Sequence, residues 1–181
     1  MTDGRQTHWV FGYGSLIWRP GFDYLRQVPA RLNGAHRRLC VYSHRHRGTE
    51  AQPGLVFGLV PGGACRGMGF EIAAERWPEV VAYLRERELD KGVYREASRP
   101  IRVDGVGPVA ALTFLVDRSH AQFAGRLDVA QQARLVRAAR GESGPNSDYV
   151  RETARILHAM GIFDPALDAV VDELERTALM A

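Results

Sequence analysis

The chain has 181 residues, of which 45% are hydrophobic and 25% are charged, and its formal net charge is +3. This length and composition predict one folded domain over residues 1–181 and exclude a disordered chain. No apolar run is long enough to cross a bilayer, and the polar start Met1–His8 lacks the apolar core of a secretion signal, so we expect a cytoplasmic protein with no membrane partner.

The first two-thirds of the chain is typical of strands and turns. Short apolar runs predict six strands, and the last two of these strands lie on either side of the turn signal Asp104-Gly105. The predicted strands are 9–14, 38–42, 55–60, 66–72, 99–103 and 109–116. Pro61-Gly62-Gly63 is a strong turn signal, so the 55–60 and 66–72 strands are predicted to form a hairpin.

Four helices are predicted, one among the strands and three near the end of the chain. Apolar residues at helical spacing indicate the first helix over 74–89. The third helix is predicted to begin with Asn146 or Ser147 as its N-cap and to stop at Gly161. The late helices are predicted over Asp128–Arg140, Asn146–Met160 and Pro165–Leu179. Strands first and helices last favour an α+β fold with an antiparallel sheet or barrel over a Rossmann sheet.

The charged residues and cysteines narrow the kinds of partner. Nearly all the positive charge is carried by arginine, since Lys91 is the only lysine. No nucleic-acid partner is expected, because nucleic-acid binding requires a dense basic stripe and the nearest candidate is the segment 36–47. That segment fits a solvated loop or a wall that binds a small acidic substrate. Cys40 and Cys65 are too few for a disulfide framework and are not spaced as a metal pair, so free thiols are expected.

The most informative segment is the glycine-containing stretch Phe11–Trp18 after the first strand. Glycines permit positive φ and a close approach of a ligand, and successive N–H groups in such a turn can converge on an anionic oxygen. The stretch lacks the Gly-Lys-Ser/Thr of a P-loop and the second glycine of a nucleophile elbow, which argues against a nucleophilic Ser15. On pattern alone, an ordinary turn is the favoured interpretation.

Residues 9–18, Trp-Val-Phe-Gly-Tyr-Gly-Ser-Leu-Ile-Trp, resemble the opening signature of the ChaC-type γ-glutamylcyclotransferases. Tyr-Leu-Arg-Glu-Arg-Glu at 83–88, with Gly-Val-Tyr after it, and Gly-Pro-Asn-Ser-Asp-Tyr at 144–149 agree with that family in order. Two departures are the extra residues 89–91 and a Gly-Pro stretch that is one residue shorter. The resemblance covers about residues 9–173 and implies an α+β fold with a mixed, largely antiparallel β-barrel and flanking helices.

The resemblance places the catalytic glutamate of the family on Glu88. The sequence supports this assignment independently, because Glu88 follows Val81 and Leu84 on the apolar side of the predicted helix, where burial would raise its pKa. Glu86 lies about 200° away around the helix and cannot serve the same site. The resemblance also implies a set of substrate-binding residues, namely Tyr13, Gly14, Ser15, Leu16 and Tyr149.

The implied reaction is the cyclisation of the γ-glutamyl group of glutathione, which releases 5-oxoproline and Cys-Gly. The backbone N–H groups of 13–16 are the expected donors to the oxyanion, and Arg38 and His46 are open as contacts of the glycine carboxylate or as plain loop residues. No metal and no cofactor are expected, because no ligand spacing is present. Two alternatives remain open: a cyclotransferase for another γ-glutamyl amine or amino acid, and a non-catalytic small-ligand-binding protein on the same fold.

Overall fold

The computed structural model describes residues 6–178. Residue contacts divide the chain into two compact units, one formed by the described parts of 1–37 and 59–117 and the other by 38–58 and the described part of 118–181. The first five residues of the predicted polar start and Leu179, the predicted end of the last helix, lie outside the described residues. The prediction of one domain over 1–181 is not tested by this division and stays a prediction.

Five strands form a closed barrel in the order β1-β3-β2-β4-β5. Antiparallel pairs join β1 to β3, β2 to β4 and β4 to β5, whereas β1 and β5 run parallel. The predicted α+β class with a mixed, largely antiparallel barrel is thereby confirmed. The strands are β1 (Thr7–Gly12), β2 (Arg26–Ser43), β3 (Gly54–Ala73), β4 (Tyr94–Val103) and β5 (Gly107–Val116).

Two of the turn predictions can be compared directly with the strand registers. Strand β4 pairs with β5 from Val103↔Gly107 onwards, so the predicted hairpin around Gly105 is present. Within β3, Leu59 runs parallel to β5, whereas residues 68–73 run antiparallel to β1, which is itself parallel to β5. The chain must therefore reverse between these two stretches, as the hairpin prediction requires. The exposed Gly62 and Gly63 lie there with φ of 100° and 67°.

Helix α1 (Trp77–Leu89) belongs to the first unit and follows a 3₁₀ turn at Ala74–Arg76. Pro78 lies in its first turn, where the missing N–H costs no hydrogen bond. Val80 and Leu84 are four residues apart and fully buried, so this row faces inward, and the helix packs on β4. The predicted helix over 74–89 is confirmed, with its first turn wound as 3₁₀.

The second unit contains three helices that pack on one another: α2 (Val129–Ala138), α3 (Asn146–Ala159) and α4 (Pro165–Ala178). Between α2 and α3 lie two-residue strands, β6 (Arg140–Gly141) and β7 (Gly144–Pro145). The helices bury apolar side chains that include Val136, Val150, Leu157, Val170 and Leu174. Within residues 6–178, none of the helices has the length and apolar character that a membrane crossing requires.

The predicted N-cap of α3 is wrong, although Gly161 does follow the helix with φ of 68°. Pro145 occupies the N-cap position without a side-chain cap, and Asn146 is the first helical residue. The fully buried Asn146 amide instead donates to the Leu55 carbonyl at 2.8 Å and accepts from the Leu55 N–H at 2.7 Å. A side-chain amide can replace a neighbouring strand in this way, because it offers the same donor and acceptor as a peptide group.

Candidate active site

Glu88 lies in the last turn of α1, and the structure turns it inward. It continues the row of Val80 and Leu84 at a spacing of four residues, so it shares their buried face. Its side chain is 17% exposed, whereas Glu86 is exposed to solvent. Burial raises the pKa of the Glu88 carboxyl above its usual range, and the positive charge of Arg87 opposes part of this rise.

The glycine loop, which we define as Gly12–Trp18, begins where β1 ends. Tyr13 and Leu16 are buried, and Gly14 is the N-cap of a 3₁₀ turn at Ser15–Ile17. Neither Gly12 nor Gly14 has a positive φ. A left-handed backbone conformation is therefore not the reason why glycine occupies these two positions. Gly12 is needed for space, since a Cβ there would lie 3.0 Å from Phe70 Cε2 and 3.2 Å from Leu16 Cβ.

The 3₁₀ turn of the glycine loop begins with backbone N–H groups that can serve as donors. The first N–H groups of a helical turn have no acceptor within that turn. Ile17 donates to the Gly14 carbonyl at 3.0 Å, but among the hydrogen bonds of residues 6–178 none uses the N–H of Ser15 or Leu16 as donor. These two N–H groups can therefore donate to a negatively charged oxygen.

Arg87 joins Glu88 to the glycine loop and was not predicted as a site residue. Its Nε lies 3.4 Å from Glu88 Oε1. Its Nη2 donates to Ser15 Oγ at 3.0 Å, and its Nη1 donates to the carbonyls of Arg19 at 2.6 Å and Pro20 at 3.1 Å. The structure thus brings together the predicted residues Glu88 and Ser15 through an arginine that the sequence analysis noted only as part of the family-like stretch 83–88.

Arg37 holds the same loop from β2 and was also missed by sequence reasoning. It is buried, and its Nη1 donates to the Tyr13 carbonyl at 2.9 Å and to the Arg66 carbonyl at 3.1 Å. The pattern of β2 contained a signal for it: Ala35 and Leu39, two residues to either side, are apolar and buried, so a strand period of two places Arg37 on the inward face.

Tyr149, the remaining predicted substrate residue, belongs to the second unit. Its hydroxyl accepts a hydrogen bond from the Phe57 N–H at 3.3 Å, and its ring lies 5.3 Å from the Arg47 guanidinium. In the same unit, Arg38 donates to the Gly125 carbonyl and His46 lies 3.3 Å from Ser143 Oγ. These contacts explain how the side chains are held, and the roles in substrate binding stay predictions.

The thiols and the acidic residues bear on the prediction that no metal is bound. Cys40 and Cys65 form no disulfide, as predicted, and both are buried. Burial raises the pKa of the Cys40 thiol to about 11. In the part of the chain from 6 to 178, no three His, Cys, Asp or Glu side chains form a cluster that could hold a metal ion. The expectation that no metal or cofactor is needed stays a prediction.

Comparison with known proteins gives a consistent result. The family model described as ChaC-like protein matches residues 8–179. The glutathione-specific gamma-glutamylcyclotransferase of Schizosaccharomyces pombe is 33% identical over 186 residues, which cover 92% of this chain and 90% of that protein. The Escherichia coli protein of the same name is 29% identical over 168 residues, with coverages of 93% and 73%.

A solved structure supports the fold. The crystal structure of the γ-glutamyl cyclotransferase specific to glutathione from yeast superposes with a TM-score of 0.84. The match covers 95% of this chain and 99% of that one, at 23% sequence identity. At this level of identity the likeness shows a shared fold, which agrees with the barrel and helices described above.

Proposed function

The chain belongs to the ChaC-like protein family, and from this premise we propose that it is a glutathione-specific γ-glutamylcyclotransferase. The proposed reaction converts glutathione into 5-oxoproline and Cys-Gly. The observation that carries the proposal is the meeting, within one compact unit, of the inward-facing Glu88 and the glycine loop. The names of the relatives support glutathione as the substrate.

The reaction needs little from the protein beyond positioning and one proton acceptor. In a γ-glutamyl amide, the α-amino group can reach the γ-carbonyl of the same molecule and close a five-membered lactam. Because the nucleophile belongs to the substrate, holding the glutamyl chain in a folded conformer supplies much of the rate enhancement. This explains how a site without a nucleophilic side chain can break an amide bond.

We assign Glu88 as the general base and then the general acid. The α-amine arrives as an ammonium ion, so Glu88 first removes one proton, and the freed lone pair of the nitrogen then attacks the γ-carbon. The ring nitrogen loses its second proton to the solvent, which leaves the single N–H of the lactam. When the tetrahedral intermediate collapses, the carbon–nitrogen bond to cysteine breaks and Glu88 returns the proton to the departing nitrogen. A carboxyl group with a raised pKa is suited to both steps, because it is a stronger base than a surface glutamate.

The glycine loop is assigned to the oxyanion. Attack on the γ-carbonyl places a negative charge on its oxygen, and the N–H groups of Ser15 and Leu16 can donate to it. Tyr13 and Gly14 shape the loop, and Tyr149 is proposed to contact the substrate. We further propose that the protein acts in the cytoplasm on this small molecule without a metal or cofactor.

The test is incubation of the purified protein with glutathione and with a panel of other γ-glutamyl amines and amino acids. Rapid formation of 5-oxoproline and Cys-Gly from glutathione, with slow reaction of the others, supports the proposal. Faster reaction of another γ-glutamyl compound would assign the chain to a different substrate. A protein that binds such compounds but converts none of them would be a binding protein on the same fold.

A further inference from the structure

We propose that Arg87 is a positioning residue for Glu88. The hydrogen bonds of its guanidinium hold the Glu88 carboxylate in place, and its positive charge separately sets the proton affinity of that carboxylate. The inference rests on the proposed function, since it assumes that Glu88 and the glycine loop act together. Arg87 itself is assigned no contact with the substrate.

Arg87 restrains the distance between Glu88 and the glycine loop. The guanidinium is planar and presents donors in fixed directions, so contacts made by its different nitrogen atoms restrain one another. In Arg87, Nε faces Glu88 Oε1 at 3.4 Å while Nη2 donates to Ser15 Oγ at 3.0 Å. Movement of the loop away from the carboxylate would break one of these contacts. The separation of base and oxyanion donors is therefore fixed by one rigid group.

The guanidinium is itself held from the far side. Nη1 donates to the carbonyls of Arg19 and Pro20, which directly follow the glycine loop, and to Tyr83 Oη at 3.0 Å. Tyr83 lies four residues before Arg87 and so on the same side of α1. The Arg87 side chain is only 20% exposed, so these charge-assisted hydrogen bonds are weakly screened by water.

Arg87 also places a positive charge beside Glu88. Glu88 is shielded from water, and Arg87 is the charged neighbour that offsets the effect of burial on its pKa. On β4, which packs against α1, Glu96 is engaged by Arg85 at 2.6 Å on the exposed side of the helix. On the segment after the glycine loop, Arg19 is exposed and contributes its carbonyl to Arg87. The Arg87 charge thus keeps Glu88 ionised at a lower pH than burial alone would allow.

The substitution Arg87→Lys separates the effect of the hydrogen bonds from the effect of the charge. A lysine at 87 retains the positive charge but offers one compact ammonium group, which cannot reach Glu88, Ser15 and the following carbonyls in fixed directions. Glutamine retains neither the charge nor the fork. Arg85→Gln is the matched control, since Arg85 lies on the same helix and its ion pair with Glu96 is exposed.

The test combines the pH dependence of kcat/KM with an NMR titration of the Glu88 carboxyl carbon in protein made with isotope-labelled glutamate, assigned with Glu88→Gln. For Arg87→Gln, we expect the acidic limb and the Glu88 titration to move up by about one pH unit. For Arg87→Lys, we expect both to stay near the wild-type values while kcat falls about 10- to 100-fold. Arg85→Gln should match the wild type in both measurements.

The proposal is overturned if Arg87→Gln titrates like the wild type or if Arg87→Lys retains the wild-type kcat. Should Arg87→Gln fail to fold, Arg87→Lys and Ser15→Ala decide the geometric part, because Ser15→Ala removes one partner of the fork and should also lower kcat without moving the acidic limb. If the wild type converts no γ-glutamyl compound, the proposed function fails, whereas the Glu88 titration and the backbone amide shifts of Ser15 and Leu16 in these variants still test Arg87.

Discussion

Two polar side chains that point inward, Glu88 at the end of α1 and Asn146 at the start of α3, have very different surroundings. Asn146 is fully buried, and its amide is matched by the N–H and carbonyl of Leu55 at 2.7 and 2.8 Å. The Glu88 carboxylate forms an ion pair with Arg87, and its distance of 3.4 Å is longer than the two Asn146 hydrogen bonds. A buried polar group with complete partners stabilises a fold, whereas one with a raised pKa and incomplete partners is suited to chemistry.

Glu88→Gln is expected to have the largest effect of the substitutions that test this difference. The substitution retains the shape of the side chain and removes the proton acceptor, so we expect kcat for glutathione to fall by about 10²- to 10⁴-fold. Steady-state kinetics with 5-oxoproline as the measured product tests this. The matched control is Glu86→Gln, which changes an exposed glutamate of the same helix and should leave kcat unchanged. Equal losses in the two variants would contradict the assignment of Glu88.

Asn146→Ala should act on stability instead. It leaves the N–H and the carbonyl of Leu55 buried without their partners, so we expect a loss of about 2–4 kcal/mol in the free energy of unfolding. Denaturant unfolding measures this, with Ser147→Ala as the control, since Ser147 is next in the helix and should change the stability by less than about 0.5 kcal/mol. A fully stable Asn146→Ala protein would show that the two Leu55 hydrogen bonds contribute little.

The pH dependence separates the two residues further, because only Glu88 titrates. The base must be ionised, so activity should fall on acidification through a pKa above 4.5, the ordinary value for glutamate. Burial favours the neutral form of the Glu88 carboxyl. The stability that comes from this neutral carboxyl is fully present below pH 4.5 and is lost as the pH rises through the raised pKa of Glu88 in the folded protein. Glu88→Gln should therefore be at least as stable as the wild type at neutral pH. Thermal unfolding of both proteins from pH 4 to 8 measures the difference in stability. A Glu88→Gln protein that becomes less stable than the wild type as the pH rises would contradict this prediction.

Gly12→Ala is expected to have the smallest effect. The added methyl group would crowd Phe70 and the Cβ of Leu16, which lie at 3.0 and 3.2 Å, and should cost about 1 kcal/mol of stability. Because Leu16 belongs to the proposed oxyanion site, kcat should fall more than this loss of stability explains. Ser98→Ala, an exposed change in β4, serves as the control for both measurements. Unchanged kcat in Gly12→Ala would show that the loop tolerates this displacement.

Much of the fold and part of the site could be predicted, because they depend on local patterns. The inward placement of Glu88 follows from the apolar row on α1, and the turn at Gly62 and Gly63 follows from local turn chemistry. The N-cap of α3 could not be predicted, because the partner that recruits Asn146 is Leu55, which is 91 residues away in the sequence.

The two arginines of the site were missed for a related reason. Arginine is usually exposed, and its long side chain can reach many neighbours, so the sequence alone does not indicate which one it will contact. Arg87 reaches Ser15, which is 72 residues away, and Arg37 reaches Tyr13 across 24 residues. The period of β2 indicated that Arg37 faces inward, but its partner is set by the closure of the barrel.

The most direct test of the central claim is to run the glutathione reaction in water enriched in heavy oxygen and to analyse the products at early times. If the substrate's own amine is the nucleophile, 5-oxoproline and Cys-Gly appear in equal amounts and neither carries oxygen from the solvent. Release of glutamate that contains solvent oxygen would show that water attacks the γ-carbonyl, and this result would contradict the account.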